Sequence, residues 1–238
     1  MSFVTCRYSG RTGNQLFQAA TLYAHAKRNG AECLFPCFNK SKYTSEPTLK
    51  LEPKYNGQEI KFHYKEPEFP YNPIPYVPDM CLEGYYQTEK YFIEYKDDIR
   101  KLFIGDITTI KDTVSIHVRR GDYLRHGTKH PVVTKDYILE AMYNFSNRNF
   151  MMFSDDIEWC ENEFKQYPIT FISGEPMEDI TIMAKCEHNI IANSSFSWWG
   201  AWMNPNPDKI IIAPKVWFGE GNSHLNTRDI IPETWIRI

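Results

Sequence analysis

The sequence predicts an α/β protein built on parallel sheets, and three observations carry that prediction. Short runs rich in β-branched and aromatic residues alternate with stretches of helical periodicity along most of the 238 residues. Helix-start signals follow the strands, among them the turn SGRTGN, Thr134, and the group Pro176, Glu178 and Asp179. A break near 105–112 (GDITTIKD) separates two such alternations. Two α/β halves are therefore expected, 1–108 and 109–238, with ligands held between them at the carboxyl ends of the strands.

Residues 2–8 (SFVTCRY) are rich in β-formers and read as the first strand. From Gln15 to Asn29 the apolar positions Leu16, Phe17, Ala20, Tyr23 and Ala24 recur at helical spacing. Lys27 and Arg28 suit the negative end of that helix, and Gly30 stops it. Residues 31–38 (AECLFPCF) read as a second strand. The segment 39–80 breaks the pattern. Seven of the fifteen prolines fall between Pro47 and Pro78, helical periodicity disappears, and an irregular excursion is expected. A short strand in CLEGYY and an amphipathic helix from Glu89 to Phe103 complete the first half.

The second half is more regular. TVSIHV places Val114, Ile116 and Val118 on one face of a strand. Helices at 134–147, 156–166, 176–187 and 194–203 alternate with strands in FMMFS, ITFIS, NIIA and KIIIA, as in a doubly wound sheet.

Composition narrows the function. A net charge of -3 supplies no broad basic field, which argues against nucleic acid as a partner. No run of about 18 apolar residues exists to span a membrane, and MSFVTCRYSG lacks the features of a secretory signal. The six cysteines are scattered, which points to reduced thiols in a cytoplasmic protein. Cys33 and Cys37 form a C-x3-C without a second ligand pair, so no zinc site is expected. Asp155 and Asp156 follow a strand end, where a helix start favours aspartate without any metal.

Three segments carry chemistry. The first is His117-Val118-Arg119-Arg120-Gly121-Asp122, at the carboxyl end of the 113–118 strand. His117 and Arg119 share a strand face, which aims an imidazole and a guanidinium at the region where such sheets bind ligands. Arginine suits a diphosphate because its planar fork offers paired donors and stays charged. An ion-pair knot of Arg119, Arg120 and Asp122 that merely holds a turn explains the same residues. The second segment, Asn193-Ser194-Ser195-Phe196, sits where a strand ends and a helix begins, and brings hydroxyls and backbone N–H groups to an anion-favouring position. Trp198, Trp199 and Trp202 behind it read as packing. The third is Gly10-Arg11-Thr12-Gly13-Asn14-Gln15, whose glycines permit close approach and whose Asn14 and Gln15 offer amides. No Gly-Lys-Ser/Thr follows, so it is not a Walker loop; a tight turn with an Asn cap explains it equally.

Together, SGRTGNQLFQ, HVRRGDYL, the stretch from FSDD to NSSFSWWGAW, and the ending DIIPETWIRI resemble glycosyltransferase family 11, the α-1,2-fucosyltransferases, over most of the chain. The family's usual Gly-Gly-Leu-Gly-Asn-Gln opening is represented here by Gly13-Asn14-Gln15, with Arg11 and Thr12 departing from it. The resemblance implies a GT-B architecture of two Rossmann-like domains with the active site in the cleft between them. It also implies GDP-fucose as donor, inversion at the anomeric carbon, no metal cofactor, and a galactose-containing oligosaccharide acceptor fucosylated at O-2. By the same resemblance Arg119 grips the β-phosphate, with Arg120 and His117 beside the nucleotide. Ser194, Ser195 and Phe196 close around pyrophosphate and base, and Asp179 partners guanine. Gly13, Asn14 and Gln15 face the cleft from the acceptor side. Asp122, His126 and His130 are the candidates for the catalytic base; Asp122 serves equally to brace the arginines.

Rival readings are transfer of another GDP-linked deoxysugar, a GDP- or glycan-binding module without turnover, and a nucleotide-sugar dehydrogenase. The missing G-x-G-x-x-G argues against the last.

Overall fold

The computed structural model describes residues 2–36, 51 and 54–238. Cys37 and most of the first half of the Pro-rich segment lie outside them. The chain divides into two compact units, Met1–Asp106 with Asn226–Pro232, and Ile107–Leu225 with Glu233–Ile238.

The first unit holds a four-stranded parallel sheet of β1 (Phe3–Cys6), β2 (Glu32–Cys33), β3 (Phe62–Lys65) and β4 (Met80–Glu83), in the order β2-β1-β4-β3. Helix α1 (Thr12–Arg28) buries Leu16, Phe17, Ala20, Leu22 and Ala24. It begins three residues before the predicted start, so Gly13 and Asn14 belong to its first turn. Arg11 occupies the N-cap without a side-chain cap, so the alternative of a turn capped by Asn does not hold. Two short 3-10 turns (Glu89–Tyr91 and Ile93–Tyr95) precede α2 (Lys96–Ile104), where one continuous helix is predicted. Strand β3 lies inside the segment expected to be irregular and pairs with β4 from Phe62↔Met80 to Lys65↔Glu83. Asn226–Pro232 also belongs here: Asp229 accepts Lys90 Nζ at 2.6 Å and the Tyr71 amide at 3.0 Å.

The second unit holds β5 (Ile110–Val118), β6 (Asn149–Ser154), β7 (Ile169–Ile172), β8 (Cys186–Ile190), β9 (Ile211–Ala213) and β10 (Ile236–Arg237). Helices α3 (Lys135–Tyr143), α4 (Ile157–Phe164), α5 (Pro176–Lys185) and α6 (Ser195–Trp202) connect them. All pairings are parallel, in the order β10-β9-β8-β5-β6-β7. From β5 the chain winds outward through β6 and β7, then returns to the other side through β8, β9 and β10. That is the Rossmann order, with its switch point between β5 and β8. Val114, Ile116 and Val118 pack with Ile138, Met152, Phe164, Ile190 and Ile212, while Ser115 and His117 on the opposite face are also buried. Thr134 caps α3 as expected, accepting the Tyr137 amide at 3.1 Å.

The tryptophans of α6 are core. Trp198, Trp199 and Trp202 are buried, and Trp198 lies 5.8 Å from Trp202 and 5.6 Å from Trp235, ring centre to ring centre. A Cβ on Gly200 would sit 2.8 Å from Met183 Cβ, so glycine lets α6 approach α5.

Candidate functional site

The two motif segments of the second unit meet at its switch point, one following β5 and the other β8. After β5, Arg119 sends Nη2 to Asp122 Oδ1 at 2.6 Å and Nη1 to Asp155 Oδ2 at 2.8 Å. Arg120 pairs through Nε with Asp156 Oδ2 at 2.9 Å, and its amide donates to Asp155 Oδ1 at 2.9 Å. Its guanidinium lies 3.7 Å from the centre of the Trp159 ring. A Cβ on Gly121 would fall 2.2 Å from Asp155 Oδ2, so a side chain there would displace the carboxylate that pairs with Arg119 and accepts the Arg120 amide. The ion-pair knot anticipated from sequence therefore exists, with Asp155 and Asp156 as members. It does not use up the fork, because each terminal nitrogen of Arg119 carries a second hydrogen.

His117, buried at the end of β5, has its ring 5.3 Å from that of Phe196 at the start of α6. Burial pushes its pKa down to about 4, against the pull of Asp155, so the imidazole is neutral near pH 7. After β8, Ser194 caps α6 by accepting the Phe196 amide at 3.3 Å, and Ser195 is the helix's first residue. Asn193 donates to the Trp217 carbonyl at 3.0 Å. Asp179, in the first turn of α5, is buried and accepts the Gly174 amide at 3.4 Å. Burial raises its carboxyl, the Gly174 N–H opposing.

Four buried side-chain atoms of this unit have no hydrogen-bond partner among the described residues: His117 Nδ1, His130 Nδ1, Asp179 Oδ1 and Asn193 Oδ1. Buried polar atoms are ordinarily paired. Each is an atom able to take a polar group from outside the chain.

Tyr123 is a site residue that the sequence reading missed. Its hydroxyl donates to the Asn193 carbonyl at 3.0 Å, its ring lies 5.6 Å from the Arg119 guanidinium, and it stacks on His130 at 4.9 Å. It thus ties the arginine turn to the Asn-Ser-Ser turn and brings His130 beside them. Its place directly after HVRRGD was the available signal. His130 is also edge-on to Phe218, and burial lowers its pKa. His126 is exposed.

Gly13, Asn14 and Gln15 lie in the first unit, at the start of α1 and the carboxyl end of its sheet. Asn14 Oδ1 accepts Gln87 Nε2 at 2.7 Å, and Gln15 Nε2 donates to the Gly10 carbonyl at 2.8 Å. Gln18, also missed, is fully buried and donates to the Ser9 and Gly84 carbonyls. A Cβ on Gly10, whose φ is +74°, would lie 2.3 Å from Asn14 Nδ2. These amides fasten the loop after β1 to the loop after β4.

Among the described residues, His63, Cys81 and Glu83 bring three potential metal-ligand atoms within 4.8 Å of one another. Glu83 is already paired with His63 Nδ1 at 2.8 Å and Arg7 Nη1 at 3.3 Å, and burial pushes the Cys81 thiol up to about 11, which disfavours thiolate. Asp122, Asp155 and Asp156 are likewise bound to guanidinium groups. No helix among the described residues is long and apolar enough to cross a membrane.

Known proteins resemble this chain along its whole length. The model of "Glycosyl transferase family 11" matches residues 2–238. An alpha-1,2-colitosyltransferase of Escherichia coli is 31% identical, with 100% of this chain and 99% of the relative covered. The O-antigen biosynthesis glycosyltransferase WbnK of Escherichia coli is 34% identical over 66% of this chain and 60% of its own length. The mouse galactoside 2-alpha-L-fucosyltransferase Sec1 is 26% identical over 94% and 69%. Among solved structures, Arabidopsis thaliana FUT1 (mutant R284K, in complex with GDP) superposes with a TM-score of 0.55 at 10% identity, covering 89% of this chain and 70% of that one. Fucosyltransferase NodZ from Bradyrhizobium gives 0.50 at 11%, covering 84% and 91%. These likenesses fit the GT-B-like α/β fold.

Proposed function

The chain belongs to glycosyl transferase family 11, and from that premise we propose that it transfers L-fucose from GDP-fucose to a glycan hydroxyl, with inversion and without a metal cofactor. The acceptor hydroxyl in this reading is O-2 of a terminal galactose. The observation that carries the donor assignment is Arg119, braced by Asp122 and Asp155 and linked through Tyr123 to the Asn193 carbonyl just before α6.

Breaking the bond between fucose and the β-phosphate builds negative charge on the leaving diphosphate and positive character on the sugar ring. Charged donors fixed before the reaction stabilise that charge without reorganising at the barrier. Arg119 supplies a fork braced by Asp122 and Asp155, and α6 supplies backbone N–H groups at its positive end. A charged hydrogen bond is worth about 1.5–3 kcal/mol, so two or three account for several kcal/mol of barrier lowering. Neutral His117 suits a donor or acceptor role toward the nucleotide without adding charge. The unpaired Oδ1 of Asp179 suits the N–H edge of guanine.

A second reading is supported by the 31% identity to an alpha-1,2-colitosyltransferase along the whole chain. In it the donor sugar is colitose, which is fucose lacking the 3-hydroxyl, and the arginine and serine chemistry is unchanged. One assay separates the two: transfer to a galactoside from GDP-fucose, GDP-colitose and GDP-mannose, each with EDTA. Preference for GDP-fucose supports the first reading and preference for GDP-colitose the second. Loss of all transfer on adding EDTA would overturn metal independence.

A further inference from the structure

Glu66 follows β3 directly, at the carboxyl end of the first unit's sheet, and its amide donates to the Glu83 carbonyl at 2.8 Å. Its carboxylate is clamped by backbone: the Tyr85 amide donates to Oε2 at 2.7 Å, and the Tyr86 amide reaches Oε1 at 3.0 Å and Oε2 at 3.1 Å. Gly84 makes room for it, since a Cβ there would lie 2.4 Å from Glu66 Cβ and 2.7 Å from Oε2. Tyr86 is held at φ +53°, a conformation uncommon for a bulky residue, with its ring buried and its hydroxyl 3.4 Å from the Tyr64 carbonyl. The segment carrying the clamp continues to Gln87, which bonds Asn14 of the Gly13-Asn14-Gln15 loop.

Several carboxylates near this sheet have basic partners: Glu83 has Arg7 and His63, Asp79 has Lys61, and Asp229 has Lys90. Glu66 has none among the described residues. Two N–H groups also leave part of its acceptor capacity unused, because a carboxylate offers about four lone-pair sites. The bases considered from sequence fit less well. Asp122 is bound to Arg119, and His130 is stacked on Tyr123 with Phe218 edge-on to it.

We propose that Glu66 is the general base of the transfer. Its carboxylate takes the proton of the acceptor hydroxyl as that oxygen bonds to the anomeric carbon. The bond from that carbon to the β-phosphate oxygen breaks, its electron pair leaves with GDP, and Glu66 ends as the neutral acid. Burial pushes its carboxyl up to about 7, the Tyr85 and Tyr86 amides opposing, which suits a base working near neutral pH. The titratable groups that face it are the phenols of Tyr64, Tyr86 and Tyr91, all shifted upward and neutral across the assay range.

This inference rests on the transfer reaction proposed above, and the test separates the two. Wild type, Glu66→Gln and Glu66→Asp are assayed with whichever GDP-sugar the donor panel selects, and GDP affinity is measured by calorimetry. The expected result is an acidic limb in wild-type kcat/KM for the acceptor with an apparent pKa near 7. Glu66→Gln loses roughly 100-fold or more in turnover with GDP affinity kept, and Glu66→Asp recovers part of it. Turnover of Glu66→Gln within about fivefold of wild type overturns the proposal. If that variant does not fold, the wild-type profile decides: a rate flat from well below to well above the Glu66 pKa overturns it. A wild type inactive with every donor refutes the transfer reading instead.

Discussion

The loops after β5 and β8 in the second unit and those after β1 and β4 in the first solve similar geometric problems with different chemistry. In the second unit, two arginines and three aspartates are interlocked at 2.6–2.9 Å. In the first, amides join the loops, Gln87 to Asn14 and Gln18 to Ser9 and Gly84, and an ion pair, Arg7 to Glu83 at 3.3 Å, lies where β1 and β4 end. A braced guanidinium is worth its desolvation only where a strong anion arrives, whereas amides exchange hydrogen bonds with neutral hydroxyls at little cost. On the proposed reading, the diphosphate goes to the second unit and sugar hydroxyls go to the first.

The largest effect that would sharpen this division is at Arg119. Arg119→Ala should lower kcat/KM by about 10³-fold, and Arg119→Lys should remain severely impaired because an ammonium cannot reproduce the fork. Near-normal steady-state rates for the Lys variant would remove Arg119 from its donor role.

Next comes the pH dependence of folding. His117 has its pKa lowered to about 4 by burial, so the unfolded chain takes up its proton first as pH falls below 6.5. Stability from this group is present above 6.5 and lost toward pH 4, by about 3 kcal/mol in all. Denaturant melts of His117→Gln across that range should show a shallower acid slope than wild type; an unchanged slope would contradict the burial argument. Glu66 runs the other way. Its folded pKa is raised, so its contribution is greatest below the unfolded value and fades as pH rises toward 7.

A smaller effect tests the amide side. Asn14→Ala should raise the acceptor KM roughly fivefold with the donor KM little changed, since one neutral hydrogen bond is worth about 1 kcal/mol. Equal effects on both substrates would blur the division. The smallest expected change is Ser194→Ala, which removes the cap of α6 and should cost about 1 kcal/mol in thermal melts.

Legibility in the sequence followed the same line. The arginine turn was readable because Val114, Ile116 and Val118 alternate on a buried strand that fixes where Arg119 emerges. β3 was not, because its FHYK is largely exposed and flanked by prolines, so no apolar alternation marks it. Glu66 was hidden with it, since its environment comes from a clamp supplied by residues 85 and 86. The start of α1 was misplaced because Arg11 sits at the N-cap without a side-chain cap, leaving only glycines to read as a turn. Helix α5 was drawn two residues long because Cys186 passes from helix to strand with no glycine or proline to mark the change. Tyr123 was missed because its role depends on a carbonyl seventy residues away.

Calorimetric titration of the intact protein with GDP and with UDP, both in EDTA, tests the donor assignment most directly. The predicted result is saturable binding of GDP, sharply weakened in Arg119→Ala, with UDP much weaker. Equal binding of the two nucleotides, or GDP binding that survives Arg119→Ala unchanged, would contradict it.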